Sequence, residues 1–124
     1  MTTWTLDELN EINKVDELRI ASQRADGTLR KPVTIWVVKV GEDVFIRSVN
    51  GREGAWFRGT QSRHAGHVSV GSIEKDVTFV DGDPKIYNQV DAAYRTKYKR
   101  YPTAYVDSVL TANARAATIK LVPG

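Results

Sequence analysis

Apolar positions along the 124-residue chain fall into short runs whose period switches between helix-like and strand-like. Leu6, Leu9 and Ile12 recur at helical spacing behind Thr5-Leu6-Asp7-Glu8. That tetrapeptide is a capping box, in which the Thr5 hydroxyl and the Glu8 carboxylate each accept a backbone N–H. Asn13 and Lys14 end this opening helix. Glu17 to Gln23 alternates, with Leu18 and Ile20 on one face and Arg19 and Ala21 on the other, which predicts a strand. Ala25-Asp26-Gly27 is a turn, because Gly27 tolerates positive φ and Asp26 can bond its own backbone. Val33 to Val40 is apolar on both faces, the pattern of a central strand covered on both sides. Gly41-Glu42-Asp43 turns it into a returning strand over Val44 to Val49.

Gly54 to Gln61 reads as a short helix and Gln61 to Gly66 as polar loop. His67 to Ile73 alternates again, Glu74-Lys75-Asp76 makes a tight turn, and Val77 to Val80 returns. Past the breaker Asp81 to Pro84 comes the longest helical pattern, with Ile86, Val90, Ala93, Tyr94, Lys97, Tyr98 and Tyr101 at helical spacing before Pro102 stops it. Thr103 to Leu110 predicts another short helix and Ala117 to Val122 a closing strand. Strands joined by short turns imply an antiparallel sheet, and about six of them satisfy their edges most easily by curling into a barrel. The expected fold is therefore α+β: a single domain over residues 1–124, a barrel of about six strands with flanking helices.

Hydrophobic content of 41% with 27% charged residues is that of an ordinary globular domain. The absence of cysteine excludes disulfides and thiolate chemistry. A formal charge of +3 suits an anionic ligand but is too small to argue for nucleic acid. No apolar signal core and no run approaching about 20 apolar residues occurs, so a soluble cytoplasmic protein with no membrane partner is expected.

Candidate chemistry concentrates where the second hairpin meets the short helix. Arg47, Ser48 and Arg52 would supply cations and a hydroxyl at a helix entrance, where free N–H groups and the helix dipole favour negative charge. Trp36 or Trp56 would offer an aromatic surface to a flat ligand. The same residues also fit a plain hairpin end with solvated arginines and a core tryptophan. His64 and His67 are three apart, but their segment reads as loop into strand with no acidic or thiol partner nearby, so no metal site is expected. The bases interleaved with Tyr94, Tyr98 and Tyr101 superficially suit single-stranded nucleic acid, whereas helical spacing puts the three tyrosines on one face, to be buried against the sheet. Asp91 can pair with Arg95 one turn later.

The run Asp26 to Arg58, the segment Gly71 to Val80, the helix Asp91 to Tyr101 and the tail Arg115 to Pro123 together resemble a small bacterial family of unknown function. That family is grouped with the split barrels that bind FMN or deazaflavin, the superfamily of pyridoxamine phosphate oxidases and deazaflavin-dependent nitroreductases. Arg30, Lys31, Pro32 and Thr34 stand where those relatives carry a basic turn and a Pro-x-Thr strand; Ser48, Asn50 and Gly51 match a later Ser-x-Gly-Gly, and Trp56 a helix tryptophan. The resemblance implies that Arg47, Ser48 and Arg52 face a cofactor phosphate and that Thr34 to Trp36 lies along its ring. It also implies a homodimer with the site near the interface and oxidoreductase-like activity, for which His64 and Tyr94 are the proton-donor candidates. Gly54-Ala55 replaces the His-Pro that often precedes the tryptophan, and Gly59 or Thr60 replaces a following asparagine. The alternative is a cofactor-free barrel that binds another small anion or a protein partner.

Overall fold

The computed structural model describes residues 3–124. Helix α1 (Leu6–Lys14) leads to strands β1 (Glu17–Ser22), β2 (Val33–Trp36), β3 (Val38–Val40) and β4 (Asp43–Arg47). A 3-10 turn (Gly51–Glu53) opens α2 (Ala55–Arg63), and β5 (Ala65–Val70) with β6 (Ile73–Asp81) forms a hairpin. A second 3-10 turn (Pro84–Ile86) runs into α3 (Tyr87–Lys97), followed by α4 (Thr103–Asp107), α5 (Ala112–Ala116) and β7 (Thr118–Pro123). Every pairing is antiparallel, in the order β2-β1-β5-β6-β7-β4-β3. Strands β2 and β3 lie at opposite ends of that order yet are joined by one residue, Val37, so the sheet curls into a nearly closed barrel. The α+β barrel agrees with the sequence pattern, with seven strands instead of about six.

The seventh strand arises because Val33 to Val40 is not one central strand. It breaks at Val37, its first half pairing with β1 and its second with β4, and both halves are edges. Val37 is fully buried, so the peptide groups that leave the ladder there need partners. Its N–H donates to the Tyr98 hydroxyl (3.0 Å), and its carbonyl accepts from Lys97 Nζ (2.7 Å). The Tyr98 hydroxyl donates in turn to the Asp16 carbonyl or to that of Val37. Lys97 also reaches the Ile12 carbonyl at 2.8 Å, which fastens the end of α1 to the same point.

Two cores meet across β4, whose alternation serves both. Val44 and Ile46 join Leu9, Ile12, Leu18, Ile20, Val68, Phe79 and Leu121 in the larger core, while Phe45 packs with Val38, Val90, Tyr94 and Tyr98 under α3. The tyrosine stripe is thus a buried face for Tyr94 and Tyr98, and Trp36 stacks on Tyr98 with centroids 3.9 Å apart. The capping box forms as expected, but Leu6 is exposed. Trp4 is buried in its place, donating through Nε1 to the Leu121 carbonyl. The Asp26 turn is also present, with Gly27 at φ +89 and Asp26 accepting from the Thr28 N–H.

Three further expectations are corrected. Gln61 to Gly66 is not loop: α2 runs to Arg63, His64 ends it in the left-handed conformation and β5 begins at once. The turn of the next hairpin is not Glu74-Lys75-Asp76 but Gly71-Ser72, where Gly71 takes φ +57 and the Glu11 carboxylate accepts from Ser72. Glu74 and Asp76 lie within β6, where they accept from both ring nitrogens of His67 across the pair, at 2.7 and 2.9 Å. Finally, Asp91 pairs not with Arg95 but with Arg47 and Arg115.

Tyr98→Phe removes the partner of the Val37 N–H and should destabilise the fold by about 1–3 kcal/mol. Tyr94→Phe should change stability by less than about 0.5 kcal/mol, because the buried Tyr94 hydroxyl has no hydrogen-bond partner among the described residues. Urea unfolding of the two variants checks the contrast.

The His67 clasp predicts a pH dependence. Its bond to Glu74, then that to Asp76, raises the His67 pKa above 6.5, so its contribution to stability is complete below that value and is lost as pH rises through the folded pKa. Glu74 is held below its ordinary range, chiefly by His67, so the clasp also weakens in acid as that carboxylate protonates. Melting temperature should fall as pH rises above about 6.5, and His67→Gln should flatten the fall.

Candidate functional site

Residue alternation dictates the fate of Arg47. It follows Phe45 on the outer face of β4, and α3 covers that face. Its guanidinium is fully buried and donates to Asp91, to the Val109 carbonyl (2.9 Å), to the Tyr87 carbonyl (3.1 Å) and, through Nε, to the Thr118 hydroxyl (2.9 Å). Four of its five N–H groups are therefore engaged within the protein. Arg115 stands 3.3 Å from the second Asp91 oxygen and also reaches Asn88. Arg47 is thus a core cation that ties β4 to α3, β7 and the segment after α4. Ser48 is buried behind the start of α2, so close that a side chain at Gly54 would meet its hydroxyl at 2.6 Å. Arg52 points elsewhere: it donates to the Ala116 carbonyl, lies 3.5 Å from Asp81 and caps the Phe57 ring.

The entrance of α2 does border a cationic cleft, but its charges come from the β1–β2 connection. This cleft, of about 300 Å³, is lined by Ile20, Ser22, Arg24, Arg30, Lys31, Val33, Ala55 and Trp56. No carboxylate is among these residues. Arg30 is steadied by bonds to the Gln23 carbonyl (2.6 Å) and Ser22 hydroxyl (3.4 Å), and Arg24 by the Leu29 carbonyl (2.7 Å). Gly59 lets α2 approach this loop, since a Cβ there would lie 2.5 Å from the Ser22 hydroxyl. The N-cap Gly54 provides no side-chain cap, which leaves the first N–H groups of α2 free beside the cleft.

Trp56 also borders a second cleft, of about 290 Å³, lined by Thr34, Ile35, Trp36, Arg47, Val49, Asn50, Tyr105, Ser108 and Val109. Arg30, Lys31, Thr34, Trp36, Arg47, Asn50 and Trp56 from the sequence reading thus line one cleft or the other, whereas Ser48 and Arg52 line neither. Arg24 and Tyr105 were not singled out by the sequence. Arg24 carried a legible signal, since it precedes the Asp26 turn that leads to Arg30 and Lys31. Tyr105 carried none. Neither proton-donor candidate lines these clefts: His64 caps α2, and the Tyr94 hydroxyl, pushed well above its ordinary pKa by burial, is enclosed under α3.

Residues 8–121 match the family model described as "Uncharacterized protein conserved in bacteria (DUF2255)". The chain belongs to the DUF2255 family. A search of the curated proteins gave no significant match. Among solved structures, the DUF2255 chain is similar to HutZ, the heme storage protein from Vibrio cholerae, at TM-score 0.67 and 14% identity over 96% of this chain and 89% of that one. It is similar to a FAD-binding protein from Mesorhizobium loti at TM-score 0.62 and 14% identity, with 99% and 90% covered. It is also similar to an F420 reductase at TM-score 0.56 and 17% identity, with 92% and 89% covered. At these identities the likeness establishes a shared split-barrel fold. Among the described residues, no helix is long and apolar enough to cross a membrane.

Asp91→Ala would leave the buried Arg47 guanidinium without its counter-charge and should destabilise the fold by about 3 kcal/mol or more. The comparable loss at exposed Arg52, by Arg52→Ala, should stay below about 1 kcal/mol in the same denaturation experiment.

Proposed function

We propose that this DUF2255 chain binds an anionic flavin- or deazaflavin-type cofactor across the two clefts that meet at Trp56. Its phosphate would lie against Arg24, Arg30, Lys31 and the open N-terminus of α2, and its ring beside Trp56 and the Thr34–Trp36 strand. The observation that carries this reading is the pairing of a carboxylate-free cationic cleft with an aromatic and apolar one on either side of a single tryptophan. Proteins of similar fold that include a FAD-binding protein and an F420 reductase lend support. When bound, such a ring supplies hydride chemistry. The chain's own residues would neutralise the phosphate, orient the ring and exclude water, and no side chain in the clefts is assigned as a general acid.

The second reading, a barrel without a redox cofactor that takes another small anion or a protein partner there, is favoured by one observation. Arg47 and Ser48, the phosphate ligands implied by resemblance, are both buried. A homodimer belongs to the first reading, since the free edge of β2 and the exposed Val33, Val49 and Tyr105 surround the clefts and a second copy would cover them.

Titration with FMN and with F420, followed by tryptophan and ligand fluorescence, tests the reading. Micromolar binding is expected, weakened about tenfold or more by Arg30→Ala with Lys31→Ala and unchanged by Arg52→Ala. Light scattering should give twice the 13.9 kDa chain mass. No binding of either compound at about 100 μM would leave the cofactor-free reading.

A further inference from the structure

A third cleft, of about 400 Å³, opens between the end of α1, β3 and α3 and shares no lining residue with the two at Trp56. Four cations line it, Lys14, Lys39, Lys97 and Arg100, against one carboxylate, Asp16. Asp16 is already engaged by Arg100 and by the Tyr101 hydroxyl at 2.7 Å. The formal excess of three positive charges (four less one) equals the formal net charge of the whole chain, +3.

The excess is not taken up by direct ion pairs. Among the described residues, Lys14, Lys39 and Lys97 make no ion pair. Lys97 is half-buried, its ammonium bonded to two backbone carbonyls that carry no formal charge, and the third N–H of an ammonium remains for another acceptor. Burial lowers its pKa to about 8, which an anion bound beside it would reverse. Small side chains, Ala92 and Ala93, leave the space between these charges open. Two flexible ammonium groups, on Lys14 and Lys39, beside the anchored one of Lys97 around an open volume suit an acceptor with several charged oxygens better than a single carboxylate.

We propose that this cleft is a second ligand site, which binds a compact polyanion: a diphosphate or longer phosphate chain, free or carried by a nucleotide. The proposal is independent of any cofactor at Trp56.

Nitrogen-15 NMR titration of the full chain with pyrophosphate, ADP, AMP and sodium chloride at matched ionic strength tests it. Saturable shifts at the Lys39 and Thr96 amides are expected with pyrophosphate or ADP, tighter than with AMP. Binding of pyrophosphate without ADP would identify a free phosphate chain, and binding of both a nucleotide-borne one. Lys14→Glu with Lys39→Glu should weaken binding about tenfold or more, and Arg30→Ala with Lys31→Ala should leave it unchanged. If the double reversal does not fold, Lys39→Gln alone should give a smaller loss in the same direction. Shifts that follow ionic strength only, that survive the lysine substitutions, or that are matched by an oligonucleotide at equal phosphate concentration would overturn the assignment.

Discussion

The barrel depends on how one residue's peptide groups are satisfied. At Val37 the chain leaves one end of the sheet and enters the other, and its N–H and carbonyl lose the ladder partners that neighbouring residues keep. Burial makes that loss expensive unless side chains intervene. Tyr98 and Lys97, adjacent at the end of α3, supply both bonds, and through the Ile12 and Asp16 carbonyls they draw in the segment around α1. Helix, closure point and opening helix are therefore one mechanical unit. Trp36, stacked on Tyr98, is held by that unit on one flank and borders the aromatic cleft.

The second constraint is the burial of Arg47. A strand covered on both faces has no place for a solvated cation, so the outward-facing guanidinium must find its partners under α3. With Arg47 so engaged, the cations that line the cleft at the entrance of α2 come instead from the β1–β2 connection, which α2 approaches closely at Gly59. That cleft is thus assembled from segments more than twenty residues apart.

Much of the fold was legible where local chemistry acts alone: the capping box, the Asp26 turn and the Tyr94–Tyr98 stripe each follow from residues a few positions apart. Failures occurred where a distant partner decides. Alternation cannot reveal that Val37 is where the barrel closes, because that depends on Tyr98, 61 positions away. Charged Glu74-Lys75-Asp76 reads as a turn until His67 is seen to pair with both carboxylates across the strands. Nothing near Arg47 in the chain announces that it is buried, because its partner Asp91 comes from α3, 44 positions away. Of the residues that line the two clefts, Trp56 and the basic Arg30-Lys31 turn could be singled out from the chain. Their meeting at one cleft, and the presence of Arg24 and Tyr105, required the topology.

Strand β7 follows every other element in the chain, yet it lies inside the sheet, hydrogen-bonded to β6 on one side and β4 on the other. During synthesis the first six strands can form only two separate pieces, linked through Val37. The ring is completed when residues 118–123 slide between them as a keystone. Until those residues have been made, facing edges of β4 and β6 stand open to pairing with a neighbouring chain, an exposure that ends only when β7 is seated between them.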